Sequence, residues 1–317
     1  MRNTPSGDTR MRIVLHTASA DAPEWHAAFA RALPEADIKL WPNVGTHVDY
    51  VVAWRPPAEL FTCLPGAKAI FNLGAGVDAM LRVPTLPAGV PVVRLEDAGM
   101  AQQMIEYVTL AALAGYRECA TYAEQQREGR WQPRPRLAKS SFGIGVLGLG
   151  VLGQAICTAL APWGFPLAGW SRTPKTVEGI RSYAGSSALP VFLAQSRLLV
   201  CVLPSTVDTR DLLDRTHLSQ LPHGAYLVNI ARGDVLVDAD LIELLDTGHL
   251  AGATLDVFRE EPLPPDHPFW HHPKITVTPH ISAMTLIEDS VAQVVAKIRR
   301  LEQGLAVTGI VDRDRGY

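Results

Sequence analysis

The sequence predicts an α/β protein of two domains, each a parallel sheet flanked by helices, with a cleft between them. Three observations carry this. Short apolar strand candidates alternate with helical stretches over most of the chain. The length, 317 residues, suits two domains of ordinary size. In the second half a glycine-rich turn, Gly148-Leu149-Gly150-Val151-Leu152-Gly153, stands between an apolar strand and a helix.

In the first block Arg12–His16 reads as a strand and Pro23–Leu33 as a helix opened near Asp21. Tyr50–Trp54, Ala69–Asn72 and Val90–Leu95 are further strands, and Ala69–Asn72 runs into the turn Leu73-Gly74-Ala75-Gly76. This block resembles a small flavodoxin-like domain. From Met100 to about Arg127 the pattern is one long helix without proline. It fits a spine between domains, a dimer element or simply a well-packed helix. Trp131–Arg136 is a proline-broken loop. A second α/β block starts at Phe142, with strands Gly143–Leu147, Pro166–Trp170, Leu198–Leu203, Ala225–Asn229, Gly252–Asp256 and Ile275–Val277. A last helix covers about Leu286–Gln303.

Apolar residues make up 47% and charged residues 19%, enough for buried cores and too apolar for global disorder. A net charge of -3 provides no broad basic field, which argues against nucleic acid or an anionic membrane as partner. Cys63, Cys119, Cys157 and Cys201 form no CxxC pair. They are expected to be four buried free thiols of a cytosolic protein. Met1–Arg10 is polar, lacks the apolar run of a signal peptide and is expected to be a loose tail. Apolar runs such as Leu198–Leu203 are far short of a membrane span, so the expected location is the cytoplasm.

The three glycines of the turn have separate tasks. Gly148 makes the tight turn, Gly150 lets the backbone approach a pyrophosphate, and Gly153 lets helix and strand pack closely. The helix N-terminus beginning at Val151 offers free N–H groups to phosphates. An NAD site usually carries an acidic residue about 20 residues further on, for the ribose hydroxyls. The next strand ends instead in Ser171-Arg172-Thr173, with Lys175 beyond, a group suited to a 2′-phosphate. NADP(H) is therefore expected over NAD(H). The competing reading makes Arg172 a solvated surface cation.

Polar residues follow three strands of the second block, in Asn229-Ile230-Ala231-Arg232-Gly233-Asp234, in Asp256–Pro264 and in Thr278-Pro279-His280. In an open α/β sheet, ligands bind beyond the strand C-termini, where these segments would converge. With Leu73–Asp78 (LGAGVD), Val146–Gly153 (VLGLGVLG), Asn229–Val237 (NIARGDVLV) and Leu255–Pro264 (LDVFREEPLP), the chain resembles the D-isomer-specific 2-hydroxyacid dehydrogenase family along nearly its whole length. Within it, Val52–Pro57, Leu95–Met100, His267–Pro273 and Val311–Tyr317 are most similar to the glyoxylate/hydroxypyruvate reductase A type.

The resemblance implies NADPH-dependent reduction of small 2-keto acids, glyoxylate and hydroxypyruvate, to D-2-hydroxy acids. It implies His280 as proton donor, Glu261 as the residue that orients its ring and supports its charge, and Arg232 as the ligand of the substrate carboxylate. Glu260 could compete with Glu261, but the spacing to Pro262 favours Glu261. Leu73, Gly74, Ala75 and Gly76 would offer a nest of N–H groups to the carboxylate, or form an ordinary tight turn. Trp54 and Arg55 would face the same cleft and favour small acids, although Trp54 could instead be core. Trp270 would lie in a specificity loop that reaches a partner subunit. Leu203, Pro204, Thr209, Ile230, Ala231, Asp256, Ser282 and Ala283 would contact cofactor, with a buried or capping role the alternative for Asp256. His267, His271 and His272 lack an evident fourth ligand, so no metal is expected.

The implied domains are a discontinuous substrate-binding domain, 1–104 with 286–317, and a dinucleotide-binding domain, 105–285. A homodimer is implied by the resemblance alone. A reductase for bulkier 2-keto acids and a nucleotide-sensing corepressor are the competing functions.

Overall fold

The structure, a computed structural model, describes residues 10–45, 47–64 and 66–317. Up to residue 9 the expected N-terminal tail lies outside the described residues. The chain forms two compact units, Met1–Gly99 with Thr285–Tyr317, and Met100–Met284. The crossing comes at Gly99, ahead of the expected 104. The reason is the helix Met100–Tyr116, whose Met104, Val108, Ala111 and Ala112 belong to the core of the second unit.

The first unit is built on β1 (Arg12–His16), β2 (Asp37–Leu40), β3 (Tyr50–Ala53), β4 (Ala69–Asn72) and β5 (Val92–Arg94). They form one parallel sheet in the order β2-β1-β3-β4-β5. Every residue of β3 and β4 is buried, as expected of central parallel strands covered on both faces. Edge strand β2 was not expected: its Asp-Ile-Lys-Leu buries Ile38 alone, and its pairing with β1 is what makes it a strand. The returning helix Ile287–Glu302 packs against helix Ala22–Ala32. Beyond it, Ile310 bridges Val93, and Glu96 accepts from Lys297 at 3.1 Å and from Thr308 at 2.5 Å. The Leu95–Met100 motif thus ties the last segment to the sheet.

The second unit carries β6 (Ile144–Leu147), β7 (Leu167–Ser171), β8 (Arg181–Ala184), β9 (Leu198–Cys201), β10 (Ala225–Asn229), β11 (Leu250–Leu255) and β12 (Ile275–Val277). Their parallel order is β12-β11-β10-β9-β6-β7-β8. The chain builds outward from β6 on one side, then from β9 on the other. The β6–β9 pair is therefore the switch point at which such sheets hold ligands. Exposed β8, Arg-Ser-Tyr-Ala, carries no apolar run and was not expected.

The expected single helix from Met100 to Arg127 is two helices, Met100–Tyr116 and Cys119–Arg127. Tyr116 closes the first, its ring packed edge-on against Phe142 and Phe165. Glu118 then adopts a left-handed backbone, φ 53, and its carboxylate accepts from Arg134 at 2.8 Å. No proline marks the break, so the pattern alone concealed it. The four thiols also need correcting. Cys157 and Cys201 are buried, and burial pushes each up to about 12, whereas Cys63 and Cys119 are exposed at helix ends.

Candidate active site

The glycine turn shows the three tasks as separate geometries. Gly148 has φ +118, and a Cβ there would lie 3.0 Å from the Val202 carbonyl oxygen. A Cβ on Gly153 would stand 1.8 Å from the Gly148 carbonyl oxygen, so only glycine lets the helix seat on the turn. A Cβ on Gly150 would meet open space. Gly150 caps helix Val151–Leu160, whose first intrahelical donor is Gln154 N–H, leaving the N–H groups of Val151, Leu152 and Gly153 for an anion. The turn therefore fits a dinucleotide pyrophosphate: an open face, free donors and no side chain in the way.

At the end of β7, Ser171 is buried and donates to the Thr173 carbonyl at 2.8 Å, which bends the chain outward. Arg172, Thr173 and Lys175 are exposed along that bend. The Arg172 guanidinium stands 3.6 Å from the Asp208 carboxylate. Asp208 lies in the loop after Leu203-Pro204, which Thr209 braces by donating to the Pro204 carbonyl at 2.6 Å. Leu203 is buried.

Arg232, Glu261 and His280 come together within the second unit. Asn229, fully buried at the end of β10, accepts from Ala231 N–H and donates to the Arg232 carbonyl, both at 3.2 Å. Arg232 follows, its guanidinium donating to the Ala231 carbonyl at 2.7 Å. A Cβ on Gly233 would lie 1.9 Å from the Phe258 carbonyl carbon. That glycine lets the Arg232 turn press on the peptide leading to Glu261. The Glu261 carboxylate accepts from Phe258 N–H at 3.0 Å and meets His280 Nδ1 at 2.8 Å. Burial alone would push this carboxyl up. The bonds from His280 and Phe258 and the charges of His280 and Arg232 outweigh burial and hold it below its ordinary value.

His280 itself has φ 56, a left-handed backbone that a residue with a Cβ rarely adopts. Asp256 fixes it. Its carbonyl accepts from His280 N–H at 2.9 Å, and its carboxylate accepts from Ile281 and Ser282 N–H, both at 2.8 Å, and from Thr278 Oγ1 at 2.6 Å. Asp256 is 0% exposed, and its carboxylate holds the His280 loop. These are the features of the buried, capping reading. Ile230, Ala231 and Ser282 are also buried, while Ala283 packs at the edge of the core.

Trp270 closes the short turn Pro268–Trp270, donates from Nε1 to the Pro264 carbonyl at 2.8 Å and is 46% exposed. His267 pairs with Asp238 and His272 with Asp246, so both act as anchors of this loop.

In the first unit, Asn72 is buried and donates to the carbonyls of Gly74 at 2.9 Å and Gly76 at 3.0 Å. This turns the carbonyls of the Leu73–Gly76 turn inward. Among the described residues, no hydrogen-bond acceptor meets the N–H groups of Ala75 and Gly76. The turn has the form of an anion nest. A Cβ on Gly74 would lie 2.4 Å from the Trp54 ring, so the half-buried indole rests on the glycine backbone. Arg55, exposed and at φ 46, lies 5.6 Å over that ring.

Sequence reasoning named Asn229 and Thr278 only within their segments and missed Asn72 and Tyr107, whose hydroxyl lies 2.6 Å from Thr278 Oγ1. Both asparagines carry a readable signal, an amide ending an apolar strand just before a turn. Tyr107 carries none.

Comparison with known proteins follows the same lines. Residues 109–282 match the model of the D-isomer specific 2-hydroxyacid dehydrogenase NAD binding domain. The chain is 45% identical over 313 residues to glyoxylate/hydroxypyruvate reductase A of Yersinia enterocolitica, covering 97% of this chain and 100% of the relative. It is 43% identical to the Serratia proteamaculans protein of the same name, with the same coverage. Among solved structures, a D-isomer specific 2-hydroxyacid dehydrogenase of Xanthobacter autotrophicus Py2 in complex with NADPH and MES matches with TM-score 0.93 and 41% identity, covering 97% of this chain and 100% of that one. An NADPH-dependent glyoxylate/hydroxypyruvate reductase of Sinorhizobium meliloti, in complex with NADP and sulfate, matches with TM-score 0.91 and 33% identity over the same shares.

Proposed function

The chain belongs to the D-isomer specific 2-hydroxyacid dehydrogenase family, and from that premise we propose that it reduces small 2-keto acids, glyoxylate and hydroxypyruvate foremost, to D-2-hydroxy acids with NADPH. The observation that carries the reading is the 2.8 Å contact of His280 Nδ1 with Glu261, in a loop pressed against the Arg232 turn. Similarity to two reductases of this name and to two proteins solved with NADPH or NADP supports substrate and cofactor.

Residues of the second unit would hold the cofactor. The N–H groups of Val151, Leu152 and Gly153 take the pyrophosphate, and Arg172, with Ser171, Thr173 and Lys175, takes the 2′-phosphate. When bound, the reduced nicotinamide supplies the hydride. Arg232 binds the substrate carboxylate and polarises the carbonyl next to it. Negative charge grows on the carbonyl oxygen as the bond to carbon forms. His280 donates a proton to that oxygen from Nε2, because Nδ1 is held by Glu261. Glu261 keeps the ring in place and, ionised, offsets its charge. In the first unit, the N–H groups of Ala75 and Gly76 are suited to a carboxylate, and Trp54 with Arg55 limits the size of what binds beside them. Trp270 serves a partner subunit's substrate site in a homodimer. The protein acts in the cytoplasm on small molecules, without nucleic acid.

His280→Ala tests the reading. Turnover is expected to fall by about 10²–10⁴ with the NADPH dissociation constant unchanged. Retained turnover would sink it. A panel of glyoxylate, hydroxypyruvate and phenylpyruvate tests the size limit, and a preference for phenylpyruvate would overturn that part.

A further inference from the structure

The conformation of His280 depends on groups that neither the proton transfer nor cofactor binding accounts for. Thr278 Oγ1 lies 2.6 Å from Asp256 Oδ1 and 2.6 Å from the Tyr107 hydroxyl. A threonine hydroxyl has a single hydrogen. Thr278 gives that hydrogen to Asp256 Oδ1, and the Tyr107 hydroxyl must then donate to Thr278. The chain of donors runs one way: Tyr107 to Thr278 to Asp256.

The other partners of Asp256 are the N–H groups of Ile281 and Ser282, with His280 N–H on its carbonyl. A buried carboxylate with three donors on it has little freedom to rotate. It clamps the two residues after His280 while its backbone clamps His280 itself. That arrangement sustains the left-handed φ of 56, a conformation that lasts only where the surroundings over-determine it. Tyr107 sits on the helix Met100–Tyr116, so the far end of the chain is anchored on a rigid element and not on another loop.

We infer that Thr278 and Tyr107 are positioning residues for the reaction, which fix the left-handed backbone of His280 by orienting the buried Asp256 carboxylate. The inference rests on the assignment of His280 as proton donor. Neither residue touches the reacting atoms. Their loss misplaces the imidazole, which reduces the rate of the chemical step and spares the binding of NADPH.

The test compares Thr278→Val, Thr278→Ser and Tyr107→Phe in the full chain, reading kcat and KM for glyoxylate and the NADPH dissociation constant by fluorescence. Thr278→Val should lower kcat by about 10- to 100-fold, as loss of an orienting partner does, with cofactor affinity within about twofold. Thr278→Ser keeps the hydroxyl and should recover most of the rate. Tyr107→Phe leaves the Thr278–Asp256 bond in place and should cost less, about 3- to 10-fold. Unchanged kcat in Thr278→Val overturns the inference. So does a loss of NADPH affinity that matches the loss of rate, because Asp256 would then serve the cofactor. A serine variant as impaired as the valine also overturns it. If Thr278→Val does not fold, Tyr107→Phe decides, and full activity there refutes the chain of donors. His280→Ala in parallel separates the two ideas: if it stays active, the assignment of His280 fails whatever Thr278 does.

Discussion

Arg172 and Glu261 show how much one side chain can decide. Arg172 has an exposed guanidinium at the end of β7 where a carboxylate would hold ribose hydroxyls. Replacing it by alanine is expected to lower kcat/KM with NADPH by about 10- to 100-fold and with NADH by less than about threefold, since a charge-assisted bond is worth about 1.5–3 kcal/mol. Steady-state kinetics with both cofactors checks this, and equal losses would refute the phosphate role. Glu261 gives a pH signature. Its folded value lies below the unfolded one, so its stabilisation is present above the ordinary carboxylate range and is lost as pH falls through the depressed value. Glu261→Gln should therefore lower the melting temperature at neutral pH and flatten its decline toward about pH 4. A variant that declines in parallel with the parent would contradict the ion pair. Arg232, Glu261 and His280 were legible as an ordered set of motifs. The conformation of His280 was not, because φ at a histidine is decided by Asp256, which is 24 positions earlier in the chain.

At the scale of elements, turns and helices make their own predictions. Gly233 seats the Arg232 turn on the Phe258–Arg259 peptide, where a Cβ would collide with backbone. Gly233→Ala is expected to cost about 1–3 kcal/mol and to reduce kcat, because the backbone must move to make room. Chemical unfolding and turnover read both, and a variant normal in both would show that the loops part freely. In helix Ile287–Glu302, Ser290 is fully buried, and among the described residues its hydroxyl has no partner. Ser290→Ala should raise stability by about 0.5–1 kcal/mol, measured by the same unfolding; a loss would mean that the hydroxyl is satisfied. Central strands were readable because burial on both faces leaves continuous apolar runs, as in Leu198–Cys201. Edge strands β2 and β8 were not, since one open side permits Lys39 and Arg181. The helix break at Glu118 was hidden because the packing that ends the first helix comes from Phe142 and Phe165, distant in sequence.

On the scale of the whole molecule, each unit has its own sheet and its own core. Ligand binding to one folded unit stabilises it by mass action, so NADPH at about 100 times its dissociation constant should add about 2.7 kcal/mol. A thermal shift larger with NADPH than with NADH, and lost in Arg172→Ala, is the expected result. Sedimentation should give twice the mass of the chain, and a monomer would remove the proposed role of Trp270 across subunits. The amino-acid order alone determined the α/β class, the glycine turn, the placing of Arg172 after β7 where an acid would hold ribose hydroxyls, and the set Arg232, Glu261 and His280, because each depends on local pattern and side-chain type. Only the tertiary structure decided that Asp256 is a buried clamp, that Asn72 turns the carbonyls of Gly74 and Gly76 inward, and that Gly233 joins two loops. Those roles depend on which atoms meet across sequence separations, and no pattern within one segment records that.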